Sequence, residues 1–214
     1  GFDIKPLILI TFYRSFITAA DLKPITALFN KLRDYGFDVM SLFVPSLKAP
    51  DAAYWLERQI LHYSPSFIIN ATSFSGRGKD GRSPLDIANV PVFQIAFSTS
   101  NRAAWAEADR GLSPADMAMH VVLPEVDGRI FAGVASFKEP EAIDKALQFA
   151  AIGHQPDEQR IYAICDKIAN WHRLQTTHLA EQKPALILST YPGRPWQMAH
   201  AVGLDAIASA KAIL

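Results

Sequence analysis

The sequence predicts an α/β fold: a mostly parallel open sheet with helices on both faces, followed by a helical segment and the start of a second α/β unit. Three observations predict it. Pro6 to Phe12 reads PLILITF, a continuous apolar run of the kind that fills a strand buried on both faces. Strand-like and helix-like segments alternate from there to about residue 138. The chain has 214 residues, 50% of them hydrophobic, which is enough to bury a sizeable core in one domain plus a piece of another.

Each element has its own signal. Asp21 to Tyr35 carries Leu22, Ile25, Leu28, Phe29 and Leu32 at three- and four-residue spacing, a helix that Gly36 stops. Phe37 to Val44 follows as a strand. Pro50 to Tyr63 is a second helix, with proline in its first turn and Pro65 just beyond it. Phe67 to Asn70 and Val92 to Ala96 are short strands. Arg102 to Arg110 and Pro114 to Met119 read as helical, His120 to Leu123 as an apolar strand, and Ile130 to Phe137 as another. Glu139 to Leu179 reads as mostly helical, with an apolar stripe of Ile161, Ile164, Ile168, Trp171 and Leu174. Pro184 to Thr190 is a new strand, Tyr191 to Pro195 a Gly/Pro-rich loop, and Leu204 to Leu214 a helix. The expected organisation is therefore a flavodoxin-like or Rossmann-like domain at 1–138, a helical connector at 139–182, and the truncated first strand-loop-helix of a second domain at 183–214. The chain begins on Gly1 and ends on Ala-Ile-Leu inside a helix, so an internal fragment of a longer chain is expected.

Charge and cysteine usage narrow the function. Lys+Arg and Asp+Glu each number 21, and the formal net charge is zero. Nucleic acid and anionic membrane need a basic surface, so neither is the expected main partner. No apolar run approaches the roughly 20 residues that span a bilayer. The single cysteine, Cys165, cannot form an internal disulfide, a pattern of cytoplasmic chains.

Open parallel sheets bind ligands at the carboxyl ends of their strands. Four loops fall there: Tyr13-Arg14-Ser15, Pro45 to Lys48, Ala71 to Ser83, and Ser98 to Asn101. The third is rich in glycine, hydroxyls and charge, and it reads as a polar, mobile lid. It does not fit a phosphate loop, because Gly76-Arg77-Gly78-Lys79-Asp80 lacks the GxxxxGK[ST] spacing. GxSxG is absent and Ser73 has no nucleophile motif around it, which excludes a serine hydrolase. Six scattered histidines without HExxH give no preformed metal site. A transient site is different: it needs one or two ligands, such as His120 or Glu125, at an open cavity. Glu125 follows the predicted strand, with Pro124 fixing the approach. It is either a working carboxylate or the ion-pair partner of Arg129. Arg14, directly after the first strand, either holds a substrate carboxylate by two hydrogen bonds or pairs with Asp21 or Glu125. Ser113-Pro114-Ala115-Asp116 reads as a helix start alone.

Several runs taken in order resemble one family. They are Thr11-Phe12-Tyr13-Arg14-Ser15, Phe43 to Lys48, Asn70 to Ser75, Asp80 to Asp86, and above all Gly111 to Ile130. Leu186 to Pro192 and Val202 to Asp205 follow. The set is similar to the large subunit of cobaltochelatase, CobN, and to its relative, the large subunit of magnesium chelatase. Tyr13-Arg14 and Asn70-Ala71-Thr72 stand nearer the cobalt branch. Two places depart from the family pattern: Thr18-Ala19-Ala20-Asp21, where a glycine often precedes the aspartate, and Pro192 to Met198, which is poorer in glycine.

The resemblance implies insertion of Co2+ into hydrogenobyrinic acid a,c-diamide in aerobic cobalamin synthesis. It implies that ATP is used by the separate subunits CobS and CobT, that no cofactor is permanently bound, and that metal and tetrapyrrole are substrates. Catalytic roles are expected for Glu125, which would also hold the metal transiently, and for His120. Substrate binding would fall to Arg14, Ser73, Arg77, Asp127 and Arg129. The alternatives are an inert ligand-binding or subunit-docking module, and a magnesium-chelatase-like paralogue acting on another tetrapyrrole.

Overall fold

A computed structural model describes residues 5–189, 199 and 203–213. The chain divides into two units, Gly1–Trp171 and His172–Leu214. In the first, the strands are β1 (Leu7–Tyr13), β2 (Asp38–Val44), β3 (Phe67–Asn70), β4 (Val92–Phe97), β5 (Ile130–Pro140) and β6 (Ile152–Pro156). They form one sheet in the order β2-β1-β3-β4-β5-β6. Every pairing is parallel except β5 with β6. The expected α/β architecture is therefore present.

The helices of this unit are α1 (Arg14–Thr18), α2 (Lys23–Asp34), α3 (Pro50–Tyr63), α4 (Arg102–Glu107), α5 (Pro114–Met117), α6 (Leu123–Val126) and α7 (Glu158–Thr176), the last of which runs on past Trp171. Helices cover both faces because alternate residues of each strand point to opposite sides. Ile8 and Ile10 of β1 pack with Ile25, Leu28 and Leu32 of α2 and Ile161, Ile164 and Ile168 of α7. Leu9 of β1 packs on the other side with Leu56 and Ile60 of α3. Cys165 is fully buried in the first of these layers, and burial pushes its thiol up to about 12, out of reach of thiolate chemistry.

Three expectations change. His120 to Leu123 is not a strand: residues 114–126 form one helical run, with a π turn, Ala118–Val122, between α5 and α6. Pro124 explains the turn. It has no N–H for the His120 carbonyl, and its ring would clash there. The chain widens instead, and the Leu123 N–H bonds back to the Ala118 carbonyl. The apolar letters that suggested a strand serve the helix, where Met117 and Val121 pack against Ala96, Val134 and Phe137. Next, Glu139 to Leu179 is helical only over α7. β5 runs on to Pro140, and β6 pairs antiparallel beside it. Finally, residues 184–189 form no strand, since no strand among the described residues runs beside them. The second unit otherwise holds a 3-10 helix, Leu179–Glu181, and α8 (Ala206–Ile213). The loop expected at Tyr191 to Pro195 lies outside the described residues.

Candidate functional site

The strand order creates a crevice. The chain leaves β1 for β2 on one side and returns to β3 on the other, so the loops after β1 and β3 diverge at the carboxyl edge. Tyr13 Oη donates to the Ser73 carbonyl at 2.7 Å across this gap. A cleft of about 210 Å³ opens beside it, lined by Tyr13, Ser46, Leu47, Lys48, Ser73, Phe74 and Ser75. A wider cleft of about 700 Å³ shares Leu47 and Lys48 with it and is lined further by Glu57, Lys79, Asp80, Arg82 and Asp86.

Beneath the crevice lies a buried polar chain. Asn70 Oδ1 accepts from Thr11 Oγ1 and Thr72 Oγ1, each at 2.9 Å, and from the Thr72 N–H at 3.3 Å. Asn70 Nδ2 donates to Gln94 Oε1 at 2.8 Å. Gln94 Nε2 donates to the carbonyls of Thr72 and Ile95. The chain ties the carboxyl ends of β1, β3 and β4 together, and with them the bases of the loops above.

The loop at 71–83 is pinned at both ends and is not a loose lid. Asp127, buried at the end of α6, accepts from Ser75 Oγ at 2.7 Å and from the Gly76 N–H at 2.6 Å, and it pairs with Arg77 Nε at 3.4 Å. The Phe74 N–H donates to the Met119 carbonyl at 2.7 Å. At the far end a capping box joins Ser83 and Asp86, and Asp86 pairs with Arg129 Nη1 at 2.8 Å.

The candidate residues thus take different places. Glu125 stands on α6 rather than after a strand. Its carboxylate is exposed and has no ion pair or hydrogen bond among the described residues. The ion pair with Arg129 does not form, because Arg129 is buried against Asp86. Arg14 opens α1, exposed and without a side-chain partner among the described residues. Asp21, its alternative partner, is held instead by His154, through Nδ1 at 2.7 Å and the backbone N–H at 2.9 Å. Ser73 is half-buried at the cleft wall. Arg77, Asp127 and Arg129 are engaged in the ion pairs that fix the loop.

His120 does not face an open cavity. It is 8% exposed, and its Nδ1 has no partner among the described residues. Burial lowers its pKa below the ordinary 6.5, Asp116 pulls it back up, and His154 pushes it down further. A neutral buried imidazole has a consequence for stability. Its folded pKa lies below its unfolded one, so the unfolded chain binds the extra proton first as pH falls. Stability from this group is expected to be complete above about pH 6.5 and to fall as acid carries the pH below that value. Urea midpoints of wild type and His120→Gln across that range test it. Equal slopes for the two would show that His120 contributes nothing.

Other residues at this edge were not legible as site residues. Ser113 does cap the helix, its Oγ accepting from the Asp116 N–H at 3.1 Å. The Asp116 carboxylate, fully buried, also accepts from the Thr99 N–H at 2.9 Å and Thr99 Oγ1 at 3.0 Å, fastening the loop after β4. No signal in the letters marks Phe74 as a site residue. Among the described residues no cluster of three or more His, Cys, Asp or Glu could hold a metal ion, and no helix is long and apolar enough to cross a membrane.

Comparison with known proteins gives a consistent result. Residues 3–214 match the family model described as CobN/Magnesium Chelatase. The chain is 35% identical over 218 residues to the aerobic cobaltochelatase subunit CobN of a Sinorhizobium species, covering 100% of this chain and 17% of that protein. A magnesium-chelatase subunit of Rhodobacter capsulatus is 24% identical over 204 residues, covering 84% of this chain and 16% of its own. The solved catalytic subunit of cobaltochelatase from Mycobacterium tuberculosis superposes with a TM-score of 0.76 at 27% identity, over 100% of this chain and 18% of that one. The chain therefore spans less than a fifth of the length of these relatives.

Proposed function

The chain belongs to the CobN/magnesium chelatase family, and from that premise we propose that it is a segment of the large, tetrapyrrole-binding subunit of an ATP-dependent cobaltochelatase. The substrate would be hydrogenobyrinic acid a,c-diamide, into which Co2+ is inserted during cobalamin synthesis in the cytoplasm. The cobalt branch is favoured because likeness to CobN is higher and covers the whole chain, whereas likeness to the magnesium-chelatase relative is lower and covers less. ATP would be used by CobS and CobT partners.

The observation that carries a chemical role is the carboxylate of Glu125, exposed and unpaired among the described residues, two residues before the Asp127 that pins the loop. Insertion requires the macrocycle to lose pyrrole protons and the metal to shed water. An exposed carboxylate can accept a proton and hold the ion briefly, without competing with four ring nitrogens. Arg14, free of a described partner in the same way, suits a peripheral carboxylate of the substrate. Arg77 and Arg129 suit it less, because each is already held by an aspartate.

The test is metal insertion by the full-length protein with its ATPase partners. Glu125→Gln is expected to lower the insertion rate about a hundredfold while macrocycle binding persists. Arg14→Met is expected to raise KM for the macrocycle. Insertion by Glu125→Gln at the wild-type rate would remove Glu125 from the mechanism.

A further inference from the structure

Phe74 occupies the left-handed backbone region, with φ +68°. A side chain with a Cβ costs about 1 kcal/mol there relative to glycine. Burial does not offset that cost, since the residue is 48% exposed. The conformation persists because its surroundings fix it. Tyr13 holds the Ser73 carbonyl, Met119 accepts the Phe74 N–H, and Asp127 holds Ser75 and Gly76. A strained backbone, clamped on both sides, that presents a bare aromatic ring is the pattern of a preorganised binding group.

The ring lines the 210 Å³ cleft at the point where the strand order reverses. The other walls include the hydroxyl residues Ser46 and Ser73 and the cation Lys48. That cleft is too small to enclose a macrocycle, but it can take one edge of a flat one. Lys48 is exposed, and its ammonium has no ion-pair partner among the described residues.

We propose that Phe74 is a stacking platform for a planar conjugated macrocycle and that Lys48, lining the same cleft, receives one of its peripheral carboxylates. The inference rests on the reading of the chain as a macrocycle-binding subunit, and it assigns part of the contact to two residues. An aromatic face suits a conjugated ring by offset stacking, and a lysine at the rim suits an anionic substituent.

An absorbance titration of the full-length protein with a water-soluble porphyrin bearing peripheral carboxylates tests it, beside the same porphyrin with those groups amidated. Phe74→Gly is expected to weaken binding about tenfold, with no fall in the unfolding midpoint because the strain is relieved. Phe74→Trp is expected to retain binding. Lys48→Met is expected to weaken binding of the carboxylate form and leave the amide form unchanged. Wild-type affinity in Phe74→Gly overturns the proposal, and so does loss of affinity in Phe74→Trp equal to that in Phe74→Gly. An unchanged carboxylate titration in Lys48→Met overturns the assignment of Lys48. These outcomes leave Glu125-dependent insertion intact. A wild-type protein that binds neither porphyrin overturns this proposal, while the chelatase reading stands or falls on the insertion assay.

Discussion

Replacing Asn70 by alanine is expected to lower the stability of the first unit by about 4 kcal/mol. The side chain makes four hydrogen bonds in a region closed to water. Its removal strands the hydroxyl and N–H of Thr72 and the Oε1 of Gln94, and it opens a void between β1, β3 and β4. Each orphaned buried group costs about 1–3 kcal/mol, because water cannot reach it. Thr11 suffers less, since its hydroxyl also lies 3.5 Å from the Ile69 carbonyl. Urea unfolding of wild type, Asn70→Ala, Thr72→Val and the double variant checks the account. Coupling between the two sites is expected, with Thr72→Val costing less once Asn70 is gone. Additive losses would mean that the four bonds act separately and the network is only a description.

Asp127→Ala is expected to cost about 3 kcal/mol and to release the loop that carries Phe74. Two short hydrogen bonds converge on this buried carboxylate from Ser75 and Gly76, and one guanidinium lies beside it. Most of the loss comes from the Ser75 and Gly76 donors, because Arg77 is well exposed and its ion pair is screened. Amide hydrogen exchange should show the effect as faster exchange across residues 74–77 with the sheet protected as before. Macrocycle affinity should fall with it, since the strained conformation of Phe74 depends on those clamps. Unchanged protection across 74–77 would mean that the Tyr13 and Met119 contacts suffice to hold the loop. Asp127→Asn separates charge from geometry: it keeps an acceptor and is expected to lose less.

The two variants also show where sequence reading succeeded. β1, β3 and α3 were readable because their signals are local. PLILITF is apolar throughout, and Pro50 and Pro65 bracket α3. The loops after β1 and β3 were correctly expected at the carboxyl edge of the sheet, because parallel strands place all such loops at one end. The helix at 114–126 was misread at His120 because an apolar tetrapeptide carries too few residues to separate a 3.6 period from a 2.0 period. Pro124 then looked like the end of a strand, whereas in the fold it sits just after a widened helical turn. β6 was missed because five residues reading IGHQP have no alternation, and only pairing with β5 makes them a strand. Residues 184–189 show the converse, a strand-like run with no described strand beside it to pair with.

What the letters settled by themselves was the alternation of elements, the class of fold and the ordered set of motifs that carries the family likeness, all of which are short-range information along the chain. Partner choice was settled only by the tertiary structure. Asp127 had Arg129 two residues away, yet it binds Ser75 and Gly76 about fifty residues earlier. Arg129 had Glu125 one turn away, yet it pairs with Asp86. Those exchanges left Glu125 without a described partner and clamped Phe74 in a left-handed backbone. The physical reason is desolvation. A buried charge must find the partners that the fold brings within hydrogen-bond distance, and sequence separation has no part in that energy.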